Sequence, residues 1–186
     1  MSRGEIVRSP LKVAPRTRRT LDQRILLRFP GLADASFRLM SRFPPRSRLR
    51  QAVLGRAVRL GLEAYNRRDL DAVAIGFRPE LEYYPYREFV EAGLAEPCYR
   101  GPTGYREYIL GTNDVWGGDV RIEPRELIDL GDHLVVLADM PMRAQASGIA
   151  LSERYACVST LKDGKVLRQR DFLHHAQALD AVGLRQ

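Results

Sequence analysis

Residues Val166–Leu173 read as a β-strand, and alternation along it brings Leu167, Gln169, Asp171 and Leu173 to one face. Asp171 then stands on a mainly apolar wall. Burial disfavours the charged form of a carboxyl group, so such an acid has a raised pKa and can exchange a proton near neutral pH. Gln169, Tyr84 and Arg143 are the candidates to stabilise an oxyanion that develops beside it. Asp171, Gln169 and Tyr84 therefore form the candidate catalytic set. The competing reading pairs Asp171 with Arg143, Arg154, Arg168 or Arg170 in an ion pair of purely structural role.

A second group of residues suits binding. Gly61 and Tyr65 share one helix face, and Tyr108, Thr112 and Trp116 follow at i, i+4 and i+8 on another helix. Tyr84 and Tyr86 are expected on one strand face with Glu82. Tyr65, Tyr86, Tyr108, Thr112 and Trp116 can line a site for a flat, hydrophobic molecule, with phenols orienting its oxygens, or they can simply fill the core. Arg143 adds a cation for a carboxylate or enolate, if it faces inward rather than to solvent.

Other chemistries find little support. Cys98 and Cys157 have no metal-ligand spacing and read as reduced thiols. His133 stands alone, and the adjacent His174 and His175 cannot both face one site on a strand. Gly101-Pro102-Thr103-Gly104 lacks the lysine of a phosphate loop and reads as a turn. The chemistry expected is thus free of metal and cofactor.

The elements that position these residues follow from the pattern of the chain. The first 19 residues, with Pro10 and Pro15, are expected to be unstructured. Thr20-Leu21-Asp22-Gln23 is a capping box that opens a short helix. A second helix is expected over 32–43 and a long one over 46–66. Asp69 can cap a short helix over 70–76. The pattern then changes to a strand over 80–86, a loop or short extended piece over 87–99, and a helix from Tyr105 to about Val115. Four strands joined by tight turns follow, with Asp163-Gly164 as a hairpin signal, and a short helix closes the chain. Helices gathered on one side of a mostly antiparallel sheet make an α+β fold.

Charge divides the chain. Residues 1–50 carry 13 Lys+Arg against 3 Asp+Glu, and residues 51–186 carry 17 against 20. The overall +7 thus belongs to a basic helical N-terminal arm, 1–45, ahead of a domain at 46–186. A domain without clustered cations is not expected to bind nucleic acid. The arm can contact a membrane surface or an acidic partner, or dock its apolar stripe on its own domain or across a dimer, and docking is the favoured reading. No apolar run approaches the length of a membrane span, and the opening residues lack the apolar centre of a signal peptide, which places the protein in the cytoplasm.

Several strings together resemble the nuclear transport factor 2-like superfamily, in its SnoaL-like branch. They are Ala64-Tyr65-Asn66-Arg67-Arg68-Asp69-Leu70-Asp71-Ala72-Val73, Tyr99-Arg100-Gly101-Pro102-Thr103-Gly104-Tyr105-Arg106, Leu127-Ile128-Asp129-Leu130-Gly131-Asp132, and Asp163-Gly164-Lys165-Val166 running on to Ala176-Gln177-Ala178-Leu179-Asp180-Ala181. The resemblance covers about residues 50–186. It implies a cone-shaped roll, a curved sheet wrapped around helices, with a pocket on the concave side and a homodimer packed sheet to sheet. The superfamily holds isomerases, dehydratases, polyketide cyclases, epoxide hydrolases and members with no chemistry.

Carried over residue by residue, much of the family's machinery is missing. The ketosteroid isomerase branch has a Tyr where this chain has Gly61, an Asp before Pro where it has Tyr84 before Pro85, and a second Asp where alignment places Ala156. The paired histidines of the dehydratase branch have no counterpart. The acid that SnoaL-like cyclases carry on the last strand, often as His-x-Asp, matches Asp171, with Gln169 in the place of the histidine. Three readings stand: a cofactor-free acid–base isomerase, cyclase or dehydratase acting on a small hydrophobic carbonyl or phenolic compound; a non-catalytic ligand-binding or dimerisation module; and a domain tethered through its basic arm.

Overall fold

The computed structural model describes residues 6–116, 120–143 and 150–184, except for the side chains of 113–116, 142–143 and 150–153. In chain order the elements are β1 (Val7–Pro10), α1 (Leu21–Arg28), α2 (Pro30–Ser41), α3 (Arg48–Asn66), α4 (Leu70–Ala74), β2 (Phe77–Tyr84), α5 (Arg87–Glu91), β3 (Tyr99–Arg100), α6 (Gly101–Trp116), β4 (Glu123–Asp129), β5 (His133–Arg143), β6 (Ala150–Lys162), β7 (Lys165–Phe172) and α7 (His175–Ala181). The seven strands form one sheet in the order β1-β4-β5-β6-β7-β2-β3. Its pairings are antiparallel except for β2 with β7, which run parallel. The α+β class read from the sequence is the class observed.

Two hydrogen-bonded joints hold the long helix α3 to β4 and the segment before it, and a third ties its end to α4 and the arm. At its start, Arg50 grips Asp129 in a two-pronged pair (Nε–Oδ2 2.7 Å, Nη2–Oδ1 2.8 Å) and also donates to the carbonyls of Gly131 and Phe43. Both partners are almost fully buried, so each charge depends on the other for compensation. At its end, the Asn66 amide donates to the Ile122 carbonyl and accepts from the Ile122 N–H, each at 2.8 Å. One turn later Asp69 caps α4 by accepting from the Ala72 N–H. Arg19 and Arg67 also bond Asp69 and hold its carboxyl down at about 2.

The arm lies on the domain. Thr20 and Gln23 form the expected capping box, and the Gln23 side chain also donates to the Leu60 carbonyl at 2.9 Å. Leu11, Ala33 and Met40 are buried. The expectation of an unstructured start is corrected at Val7–Pro10, which pairs with β4 and extends the sheet by one strand. A short strand at an edge needs little sequence periodicity of its own, because the neighbouring strand supplies its hydrogen-bond partners. The segment over 87–99 likewise contains the short helix α5 and ends at β3, rather than forming a loop throughout. At the β6–β7 turn, Asp163 and Gly164 both take positive φ. A Cβ on Gly164 would lie 2.2 Å from the Phe37 carbonyl oxygen, so glycine is what lets α2 sit on this hairpin.

Candidate functional site

Strand pairing decides which side chains meet inside the cone. Tyr83 of β2 lies opposite Gln169 of β7, and Cys157 of β6 opposite Asp171. Tyr83, Gln169 and Asp171 point inward and are buried. Their strand neighbours Glu82, Tyr84, Arg168 and Arg170 turn to the other face, where Arg168 bonds Glu82 and both arginines lie over the Tyr84 ring.

Three donors converge on the Asp171 carboxyl. The Tyr83 hydroxyl donates to Oδ2 at 2.6 Å, the Tyr155 hydroxyl to Oδ1 at 3.2 Å, and Gln169 Nε2 to Oδ1 at 3.1 Å. Burial pushes its pKa up from 3.8 to about 6, against the opposing pull of these hydrogen bonds. Burial, and then the Asp171 charge, raise Tyr83, Tyr86 and Tyr155 well above the ordinary phenol value, so all three stay protonated as donors. Cys157 is raised to about 12, again chiefly by burial, which leaves it an inert thiol at neutral pH.

Asp171 stands at the wall of a cavity of about 140 Å³. Tyr65, Tyr86, Tyr108 and Thr112 line it, together with Arg68, Phe89 and Met140. The Tyr86 hydroxyl has the Met140 sulfur, at 3.8 Å, as its acceptor. A thioether is a weak acceptor, so this phenol can still turn to a ligand oxygen. Arg68 brings a guanidinium to the wall. It stacks over Tyr65 at 5.2 Å and donates to the Val120 carbonyl. Its φ of 63° puts a bulky residue in the left-handed region at the end of α3, a conformation that surrounding structure must hold in place.

Of the proposed catalytic set, Gln169 and Asp171 are brought together and Tyr84 is not. The Tyr84 hydroxyl donates to Glu82 at 3.2 Å on the outer face, so its assignment beside Asp171 is corrected. Tyr83 holds that place instead. Tyr86 does not share a strand face with Tyr84 either: it lies beyond the end of β2, as the N-cap of α5, and turns inward. Gln169 spends its amide on Asp171 rather than on an incoming oxyanion. Thr112 lines the cavity, but its hydroxyl bonds the Tyr108 carbonyl at 2.9 Å. The side chains of Trp116 and Arg143 lie outside the described residues. His175 is half-buried and bonds the carbonyls of Ala138 and Tyr155 through Nε2, on the face that α7 covers. Among the described residues no cluster of His, Cys, Asp and Glu suits a metal ion.

Among the described residues no ion pair to Asp171 is formed, and the Arg143 side chain lies outside them. Arg154 is exposed, and Arg168 and Arg170 are on the outer face. Sequence reading missed Tyr83, Tyr155 and Arg68. Tyr155 carried a usable signal: it is two residues from Cys157 on a strand, so whichever face holds one holds both.

Residues 58–169 match the model of the SnoaL-like domain family. The chain belongs to this family. Solved structures with the same fold include TerC co-crystallized with polyporic acid, 25% identical with a TM-score of 0.58, over 64% of this chain and 89% of that one. An NTF2-like protein of unknown function from Burkholderia pseudomallei is 22% identical with a TM-score of 0.56, over 69% and 95%. IdmH from Streptomyces antibioticus, named as a candidate polyketide cyclase, is 14% identical with a TM-score of 0.54, over 69% and 96%. No curated protein matches the sequence. Asp171, the buried acid of β7, lies two residues beyond the matched segment. No described helix is long and apolar enough to cross a membrane.

Proposed function

We propose that this SnoaL-like domain is a cofactor-free acid–base enzyme for a small hydrophobic carbonyl or phenolic compound, with Asp171 as its proton carrier. The observation that carries this reading is the Asp171 carboxyl, buried at the wall of an aromatic cavity without a cationic partner among the described residues, and with a pKa near 6. At neutral pH such a group is mostly ionised yet holds a proton well, which suits a general base. Asp171 takes a proton from the carbon next to the substrate carbonyl. The electron pair moves onto the carbonyl oxygen, where the Tyr86 hydroxyl donates and the Arg68 guanidinium compensates the charge. Returning the proton to a different carbon completes an isomerisation, and attack of the enolate carbon on a second carbonyl closes a ring. Tyr83, Tyr155 and Gln169 keep the carboxylate oriented. A cavity of about 140 Å³ suits a single ring, and the likeness to TerC, co-crystallized with polyporic acid, supports a small organic ligand.

The test is deuterium incorporation from heavy water into a panel of aryl ketones and phenols, followed by mass spectrometry. Wild-type protein should exchange the carbon-bound hydrogen next to the carbonyl or phenol carbon, and Asp171→Asn should lose at least 100-fold of that rate. Equal exchange by both proteins would remove Asp171 from the chemistry. Binding without turnover is the second reading, favoured by the absence of the isomerase residues at Gly61, Tyr84 and Ala156. Under it, a ligand released from natively purified protein would be returned unchanged after incubation.

A further inference from the structure

The cone contains a second hollow. Tyr65, Tyr105 and Tyr155 line both it and the Asp171 cavity, and so form the partition between them. The second chamber measures about 170 Å³. A dry apolar cavity of about 150 Å³ is enough to hold a benzene ring. Its walls come from three layers: Val58 and Gly61 of α3, Leu134 and Val136 of the sheet, and Leu26 and Phe37 of the arm.

The hollow has a structural cause at Gly61. This glycine lies inside α3, yet a Cβ added there would meet nothing within 4 Å. Around it Val58, Leu62 and Tyr65 pack against the core but keep accessible surface. All three line the chamber.

The chemistry of the walls defines what fits. Among the described residues no Lys, Arg, Asp or Glu lines the chamber. Several of the polar groups that do are engaged elsewhere, Tyr155 with Asp171 among them, and the Tyr65 and Tyr105 phenols stand at the partition. Gln23 donates to the Leu60 carbonyl and accepts from Arg67 and the Thr20 N–H. Gln169 donates to Asp171, and Ser159 bonds the Cys157 thiol. A water molecule here would find few partners, whereas an apolar group would fill unoccupied contact surface.

We propose that this chamber is a binding site for an uncharged hydrocarbon group, a phenyl ring or a chain of about six carbons, with α1 and α2 as its lid. The proposal stands apart from the acid–base reading, because Asp171 is not on these walls. The lid is attached by the burial of Ala33 and Met40 and by the Gln23–Leu60 hydrogen bond, and its register is set by the pairs Asp22–Arg56 and Asp34–Lys165, each with a solvent-exposed member. Exposed pairs hold weakly, so the register of the lid over the chamber can loosen while the sheet stays closed.

Benzene is the probe, used on the full-length protein with residue-resolved amide NMR. Saturable shifts are expected at Val58, Gly61 and Val136. Gly61→Leu should weaken binding at these positions at least 10-fold while the spectrum stays folded, and Asp171→Asn should leave it unchanged. Ala57→Leu, from the same wall, gives the same result if Gly61→Leu does not fold. Asp22→Asn combined with Asp34→Asn should speed benzene exchange several-fold. Shifts confined to Ile109 and Thr112, or unaltered binding in both filled variants, would overturn the site. Unaltered exchange in the double variant would overturn the lid.

Discussion

Asp171→Asn should make the protein more stable at neutral pH and have a much smaller effect at pH 4. In the unfolded chain this carboxyl titrates near its ordinary 3.8, and in the folded chain near 6. Below 3.8 it is neutral in both states and contributes no difference. Between 3.8 and 6 the unfolded chain loses its proton first, so wild-type stability falls as pH rises. Above 6 the whole penalty is present, about 3 kcal/mol at about 1.4 kcal/mol for each tenfold change in proton affinity. Asparagine keeps the shape but has one acceptor oxygen where the carboxyl has two. One of the two tyrosine hydroxyls must then turn to accept from its amide, a cost that does not vary with pH. Asparagine does not ionise. About 0.6 kcal/mol of this is already present at pH 4, so the stability gap between variant and wild type should widen by about 2.4 kcal/mol between pH 4 and pH 7.5. For a chain of this size that is a difference of about 5–10 °C in unfolding midpoint. Thermal and urea unfolding of both proteins across that range is the assay. Every other titrating group, including the depressed Asp69 with its opposite pH dependence, is present in both proteins and cancels in the difference. A gap that stays constant with pH, or narrows as pH rises, would refute the claim that burial holds this acid against ionisation.

Tyr83→Phe removes the 2.6 Å hydrogen bond that favours the Asp171 carboxylate, so the carboxyl pKa should move further up, as carboxyl-carbon NMR titration would show. Gly61→Ala, and Gly55→Ala one and a half turns earlier, each add a Cβ that meets nothing within 4 Å inside α3. Each should stabilise by about 1 kcal/mol from helix propensity, read by urea unfolding. Arg50→Met leaves Asp129 buried without its partner and should destabilise by about 3–5 kcal/mol in the same assay.

The fold was legible because its signals are local and repeated. The capping box at Thr20, the Asp69 cap and the Asp163-Gly164 hairpin are short strings whose chemistry acts within a few residues. Asp171 was legible for a similar reason, since alternation along β7 and a mainly apolar face are properties of one strand. Tyr84 against Tyr83 was harder. Tyr83, Tyr84 and Tyr86 offer aromatic side chains to both faces, and alternation fixes which residues go together without fixing which set goes inward. The parallel pairing with β7, whose register shifts between Phe77 and Glu82, settles that, and it depends on residues more than 80 positions away. Arg68 was hidden differently. It reads as part of a polar turn, and only the left-handed bend after α3 brings it to the cavity wall.

Charge offers the clearest case of a sequence property whose meaning lies in the tertiary structure. The split between a strongly basic start and a mildly acidic remainder looks like a feature directed outward. Part of it is directed inward. Arg8 pairs with Glu126, Arg16 with Glu63, and Arg19 with Asp69 and Asp71. The arm's acids Asp22 and Asp34 meet Arg56 and Lys165 in turn. These pairs are mostly exposed and individually weak. Attachment rests chiefly on the burial of Leu11, Ala33 and Met40, with the pairs fixing where the arm lies. Salt should thus loosen the register of α1 and α2 without releasing them. The outer helix face keeps Arg24, Arg28, Arg38 and Arg42 exposed beside Leu21, Phe29, Leu32 and Leu39. The domain's acids leave that face unneutralised, so the chain's net positive charge is concentrated where the arm meets water.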